Sequence, residues 1–267
     1  MQSQKIKQLD LQNEEIRVTT KTVYSFYAHL HSYYELLLYQ PFKGQVTVNN
    51  RAIVMNSLTA VLIVPGDLHK IKVQPGQTAQ LIKLEVNRSA FLGQREPKSS
   101  CLLQNLKENS ITALAFEQAL AAKGDPDYLK LLILLICNRL QALGCRITPA
   151  QELPGFALAS RAAAMLQQDF SAPLSLVGVA EALRVSPQYL SLTFKKNVGV
   201  GFSVYLNRLR LQYAAAKLSG TNTPITAICY DCGYQNLSHF LRSFKKQYGV
   251  TPRQYRRGTA PLQNKKN

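Results

Sequence analysis

The sequence predicts a multidomain α+β chain. A small β-barrel or sandwich with a helical hairpin behind it comes first, followed by an all-α domain of two helix-turn-helix units joined by a long helix. Three observations carry this reading. Residues 15–90 hold short β-favouring runs punctuated by turns. Net positive charge concentrates in the last hundred or so residues, where acidic side chains are scarce, and that part repeats itself at an offset of 50 residues.

The β runs are Ile16–Thr20, Leu36–Tyr39, Gln45–Val48, Ala60–Val64, His69–Val73 and Ala79–Val86, with turn signals at Asn49-Asn50 and Pro65-Gly66-Asp67. Helical patterns follow at Ile111–Ala122 and Asp127–Leu143. The second is apolar around much of its circumference, through Leu129, Leu131, Leu132, Ile133, Leu134, Leu135 and Ile136. Such a helix must be covered on more than one side. The sheet can cover one side, and a second copy of the chain is the natural cover for the other. A homodimer through residues 127–143 is therefore expected.

Residues 1–144 are assigned to this first domain. The stretch from Gly144 to Gly155 contains two prolines and two glycines and reads as a linker, placed at 145–157. A second domain over 158–258 and a flexible basic tail over 259–267 complete the chain. The whole carries 32 Lys and Arg against 15 Asp and Glu, a net charge of +17. Residues 160–267 hold 15 of the basic side chains and only three acidic ones, Asp169, Glu181 and Asp231. Such a field draws polyanions, either nucleic acid or an anionic membrane surface.

Several classes are excluded. The longest apolar run, Leu131–Cys137, is seven residues, far short of the roughly 20 needed for a helical membrane span. The opening MQSQKIKQLD lacks the apolar core of a signal peptide, so a cytoplasmic protein is expected. Five scattered cysteines, an odd number, fit reduced thiols. Cys229 and Cys232 form a C-x-x-C without the second pair or spaced histidines of a structural zinc site.

The repeat is plainest in FKKNVGV at 194–200 and FKKQYGV at 244–250, each followed at one distance by a tyrosine, Tyr205 and Tyr255. With one residue inserted in the second copy, Val179-Ala180 aligns with Ile228-Cys229. In copy one, residues 176–183 form a first helix and Arg184 to Ser186 a turn, with Ser186 as N-cap and Pro187 opening the next helix. Leu190, Phe194 and Val198 make its buried stripe, and Gln188, Ser191 and Lys195 its outer face. In copy two, Pro224 opens the first helix and Cys232-Gly233-Tyr234 makes the turn. Leu237, Phe240, Leu241, Phe244 and Tyr248 form the stripe, while Gln235, Ser238, Arg242 and Lys245 face outward beside His239 and Lys246. A helix whose outer face mixes hydrogen-bonding and basic groups suits a DNA major groove, where Arg reads guanine and Lys holds phosphates. The helix from Phe202 to Leu218 would hold the two readers apart, and units about one DNA turn apart, roughly 34–36 Å, enter successive major grooves.

This arrangement resembles the AraC/XylS family of bacterial transcription regulators over nearly all of residues 160–257. The carrying residues are Ala180, Val185-Ser186-Pro187, Tyr189-Leu190, Phe194-Lys195-Lys196, Gly199, Tyr205 and Arg208-Leu209-Arg210, then Gly233-Tyr234, Phe240, Phe244-Lys245-Lys246, Gly249, Thr251-Pro252 and Arg256. The resemblance implies groove-facing Gln188, Ser191 and Leu192 in unit one and Leu237, Ser238, His239 and Arg242 in unit two. Lys195, Lys196, Lys245 and Lys246 are assigned to phosphates. It also implies buried, inert Cys229 and Cys232 in the first helix of unit two. The chain departs from symmetry at Leu192, which aligns with Arg242. Leu192 either meets a thymine methyl or is an exposed or locally packed leucine.

The segment His29, His31 and Glu35, then Gly44, then Pro65-Gly66 and His69, resembles the paired motifs of a cupin barrel, the common sensory half of this family. Metal cupins use the same spacing, and three imidazoles and a carboxylate suit Zn, Mn or Fe. The same residues also serve as polar groups at a ligand pocket or as structural hydrogen-bonding groups. They are carried forward as ligand or pocket residues, with no cofactor or metal assigned. The expected function is an effector-responsive, sequence-specific regulator of transcription, not an enzyme, with double-stranded DNA, an unidentified small molecule and RNA polymerase as partners. Two alternatives stay open: a metal-dependent cupin enzyme fused to a DNA-binding domain, and a constitutive DNA-binding dimer without a ligand.

Overall fold

The computed structural model describes residues 15–91, 96–122, 124–147 and 154–258. The expected tail at 259–267 and the middle of the expected linker lie outside the described residues. The chain divides into a sheet unit up to Ser160 and a helical unit from Arg161 onward.

The sheet unit is built from β1 (Ile16–Val23), β2 (Phe26–His29), β3 (Tyr34–Tyr39), β4 (Gly44–Val48), β5 (Arg51–Val54), β6 (Thr59–Ile63), β7 (His69–Val73), β8 (Ala79–Val86), β9 (Cys101–Leu103) and β10 (Cys145–Arg146). They pair as two separate antiparallel sheets, ordered β1-β8-β3-β6-β9-β10 and β2-β7-β4-β5. Among the described residues no hydrogen-bonded ring closes, and the two sheets face each other across a shared core, an arrangement that agrees with the expected cupin-like barrel. All six residues of β3 are buried, because its two faces meet different partners. Leu36 and Leu38 pack with the helices α1 (Ile111–Ala121) and α2 (Pro126–Leu143). Leu37 and Tyr39 pack with Val46, Val48, Ile71 and Val73 of the four-stranded sheet. Burying each such side chain stabilises the fold by about 1.5–3 kcal/mol.

The register places Glu35 on the same face as Leu37 and Tyr39, toward the other sheet, since strand side chains alternate. The β4–β5 hairpin turns on Asn49 and Asn50, whose φ values of 47° and 66° are both left-handed, as a two-residue type I′ turn requires. Four strands, β2, β5, β9 and β10, were not among the expected runs. Cys145–Arg146 was expected in the linker and instead pairs with β9, and a helix opens at Pro154, inside the expected linker's other end. Asp125 caps α2, accepting from the Tyr128 amide at 3.0 Å, with Pro126 in the first turn. Leu129, Leu132, Ile133, Ile136 and Leu140 of α2 are buried, while Tyr128, Leu131 and Leu135 stay exposed along the opposite side.

The helical unit contains α3 (Pro154–Asp169), in which it begins, then α4 (Leu176–Ala182), α5 (Pro187–Val198), α6 (Phe202–Gly220), α7 (Ile225–Asp231), α8 (Leu237–Tyr248) and α9 (Pro252–Arg256). The 19-residue α6 spans about 28 Å and buries Tyr205, Leu206, Leu209, Tyr213 and Leu218. Its Arg210 donates to the carbonyls of Phe170 (2.8 Å) and Ala172 (2.9 Å), tying the end of α3 to the scaffold. Thr251 and Gln254 form a capping box on α9, whose Arg256 guanidinium donates to the Thr223 carbonyl.

Candidate nucleic-acid interface and ligand-pocket residues

Each helix-turn-helix unit is a short helix, a turn, and a longer outer helix. In unit one, α4 is capped by Ser175, which accepts from the Gly178 amide at 3.0 Å. The longer α5 is capped by Ser186, which accepts from the Tyr189 amide at 3.2 Å. In unit two, Asn236 accepts from the His239 amide at 2.9 Å and starts α8. Leu190, Phe194 and Val198 are fully buried in α5, as are Phe240 and Phe244 in α8. The packed faces thus fix which side chains point outward.

On α5 the outward set is Gln188, Leu192, Lys195 and Lys196, all exposed, with Ser191 half-buried. Leu192 is 72% exposed, so it is not packed locally. On α8, Ser238, His239, Arg242, Lys245 and Lys246 are exposed and Leu237 is half-buried. Leu241, expected on the buried stripe, is 38% exposed, because the 240/244 pair already fills the narrow packing seam. Gln235 lies exposed in the turn. Cys229 and Cys232 are fully buried, and the Cys232 thiol donates to the Cys229 carbonyl at 3.2 Å. Burial pushes the Cys232 thiol up to about 12, so it stays protonated and unreactive.

In the sheet unit, β3 brings Glu35 to the inter-sheet interior, the β2–β3 connection brings His31, and β7 opens on His69. All three are buried. His31 Nε2 lies 3.3 Å and His69 Nε2 3.5 Å from Glu35 Oε2. The ring of half-buried His29 lies 4.1 Å from that of His69, tilted 53° to it. Lys83, on the next strand β8, pairs through its ammonium with Glu35 Oε1, and with Glu85 at 3.1 Å. Burial alone would raise the Glu35 carboxyl, but His31 and Lys83 beside it hold it well below the usual carboxylate range. Burial pushes the His69 imidazole down.

Lys83 and Glu85 escaped the sequence reading. Their signal was the alternation in β8, which puts Lys83 and Glu85 on the same face as Leu81. The broad groove of the sheet unit lies elsewhere, lined by Phe42, Lys43, Val54, Lys72 and Pro75 at the far ends of β3 and β7. The four expected pocket residues do not line it.

Residues 179–258 match the model of a helix-turn-helix domain. The regulator YijO of Escherichia coli is 34% identical over 92 residues, which make up 34% of this chain and 32% of YijO. The chain spans a third or less of the length of such relatives. The transcriptional activator RhaS of Pectobacterium atrosepticum is 24% identical over 255 residues, covering 87% of this chain and 88% of RhaS. An apo variant of ToxT from Vibrio cholerae superposes with a TM-score of 0.54 at 14% identity, over 91% of this chain and 97% of ToxT, and so shares the fold. Wild-type ToxT with a bound unsaturated fatty acid gives 0.50 at 16% identity, over 91% and 95%. The duplicated helix-turn-helix architecture and these relatives agree: residues 179–258 form a helix-turn-helix domain similar to those of helix-turn-helix transcription regulators.

Proposed function

We propose that this chain is a sequence-specific DNA-binding regulator of transcription whose two outer helices, α5 and α8, read successive major grooves. One observation carries the reading. Both helices bury an apolar seam and turn a hydrogen-bonding and basic face outward, in a domain with 15 basic and three acidic side chains. Arg242, His239 and Ser238 read base edges in the second half-site, and Gln188, Ser191 and Leu192 in the first. Lys195, Lys196, Lys245 and Lys246 hold phosphates and set register.

The sheet unit is the sensory and dimerising part in this reading. The exposed apolar line of Tyr128, Leu131 and Leu135 on α2 supports a homodimer through that helix. The fatty acid bound by ToxT supports a small-molecule effector, acting by favouring one of two dimer arrangements. Regulation rather than catalysis fits the named relatives, and activation would add a contact to RNA polymerase. Among the described residues no helix is long and apolar enough to cross a membrane, which fits a cytoplasmic site of action. The layout of 1–144, 145–157 and 158–258 carries over into this reading with its linker shortened, Cys145–Arg146 joining the sheet unit and a helix opening at Pro154.

The test is selection of genomic fragments by the purified full-length protein, with footprints on the enriched fragments. Paired boxes about one helical turn apart are expected upstream of a few genes. Enrichment by neither the full chain nor residues 157–267 overturns the reading.

A further inference from the structure

Both helix-turn-helix units close their first helix with the same backbone hydrogen bonds. In unit one the Val185 amide donates to the Ala180 carbonyl and the Arg184 amide to that of Glu181, both at 3.0 Å. In unit two the Tyr234 amide donates to the Cys229 carbonyl at 3.1 Å and the Gly233 amide to that of Tyr230 at 3.0 Å. Arg184 and Gly233 therefore hold equivalent places, both left-handed, at φ 58° and 88°. Glycine is the usual residue at such a helix end, because a Cβ crowds the following carbonyl there. Unit one keeps an arginine instead. Its side chain is exposed and, among the described residues, its guanidinium has no hydrogen-bonding or ionic partner.

The neighbours decide which turn can carry a side chain. A Cβ at Gly233 would stand 2.7 Å from the Ser171 carbonyl oxygen. Ser171 lies between α3 and α4, so unit one closes off the turn of unit two. In a tandem repeat the matching turn of unit one faces the place of a preceding unit. The helical unit holds no such unit before α4, and Arg184 reaches solvent at the outer end of the pair.

The same turn leads straight into α5. Ser186 caps that helix and Pro187 opens it, which sets Arg184 beside the end that carries Gln188. A major groove is walled by phosphates, and a cation beside the entering end of a reading helix meets that wall rather than base edges. Unit one also has Leu192 where unit two has Arg242. With Arg184 counted, turn and outer helix carry three cations in each unit: Arg184, Lys195 and Lys196 in one, Arg242, Lys245 and Lys246 in the other. Backbone strain kept at an exposed position points to a task for the side chain.

We infer that Arg184 binds a DNA phosphate on the outer flank of the first half-site, the side away from unit two. This rests on the DNA-binding reading above and deepens it. The first unit adds an anchor at its turn, where the second has an arginine on its outer helix.

The test is binding of the full-length protein to its selected duplex and to a random duplex over a range of salt, with ethylation interference on the selected one. Arg184→Gln removes the charge and keeps the strained backbone. It should weaken binding to both duplexes alike, by roughly three- to tenfold, and lower the slope of log affinity against log salt by about one. Arg184→Lys should restore the slope. Arg184→Gly should lose affinity in the same way with a urea midpoint no lower than that of the wild type, which separates a lost contact from a damaged fold. Ethylation of a phosphate outside the first box should block the wild type. In Arg184→Gly that block should vanish while those at the second box persist. Paired boxes selected by the wild type, with slope and interference unchanged in the variants, overturn this inference and leave the DNA-binding reading intact. A wild type that binds neither duplex overturns both.

Discussion

The two helix-turn-helix units are copies of one scaffold with different turns and different faces. Both start the outer helix on a side-chain cap, Ser186 or Asn236, and both bury a phenylalanine seam. Both close that helix on a left-handed glycine, Gly199 at φ 88° or Gly249 at φ 78°, where another residue would be strained. The inner helices also end alike, with Val185 donating to the Ala180 carbonyl and Tyr234 to that of Cys229. Yet the left-handed residue of the turn is Arg184 in one unit and Gly233 in the other, and unit two carries one more turn residue, Gln235. The outer faces diverge further, with Leu192 standing where unit two has Arg242. Packing tolerates few residue types, so duplication preserved the seams. Solvent-facing positions carry no such constraint, and each outer helix took its own chemistry.

The turns give the widest separation. A Cβ at Gly233 would stand 2.7 Å from the Ser171 carbonyl oxygen and 2.9 Å from its Cα, on a backbone already at φ 88°. Gly233→Ala should therefore cost roughly 2–4 kcal/mol in urea unfolding, from strain and overpacking together. The matching position in unit one already tolerates a side chain at φ 58°. A cost at Gly233 below about 1 kcal/mol would mean the two turns are equivalent after all.

Base reading comes next. Arg242→Ala should cost roughly 1–3 kcal/mol at the selected site and relax specificity at one base pair of the second box, measured by titration against single-base variants. Leu192→Ala should leave the second box untouched and lessen the preference for thymine in the first. Equal losses on specific and random DNA would remove Arg242 from the readers.

A smaller effect of opposite sign is expected at the first turn. Arg184→Gly relieves a left-handed arginine and should gain about 0.5–1 kcal/mol in unfolding stability. A loss there would show that the arginine side chain contributes packing its exposure conceals.

The helical unit was legible because its signals are local. Caps, a period of 3.6 and paired glycines all lie within a dozen residues of one another, so α5, α6 and α8 could be read directly. The exception is α3, whose buried stripe of Ala159, Ala162, Ala163 and Leu166 is mostly small side chains, and whose Pro154-Gly155 start looked like linker. A proline in a first turn starts a helix as readily as it ends one. The sheet unit was less legible because its pairings are long-range. β5, with three of four residues exposed, lacks any apolar alternation, and β10 is defined only by its partner β9. The histidines and Glu35 were visible through their resemblance to the paired cupin motifs. Lys83 was not, because only strand pairing brings β8 beside β3.

The smallest effect tests what the units share. Lys195 and Lys245 occupy the same place in the F-K-K repeat, exposed one turn beyond the positions proposed to read bases. If the scaffold presents both to the phosphate backbone alike, Lys195→Ala and Lys245→Ala should each weaken binding to every sequence by a similar small factor. Each should also lower the slope of log affinity against log salt by about one, because one fewer condensed counterion is released. The readers should differ under mutation and the phosphate holders should not. A reduced slope for one lysine and an unchanged slope for the other would place only one unit in full contact with DNA, and the second helix-turn-helix would then serve as a brace for the first.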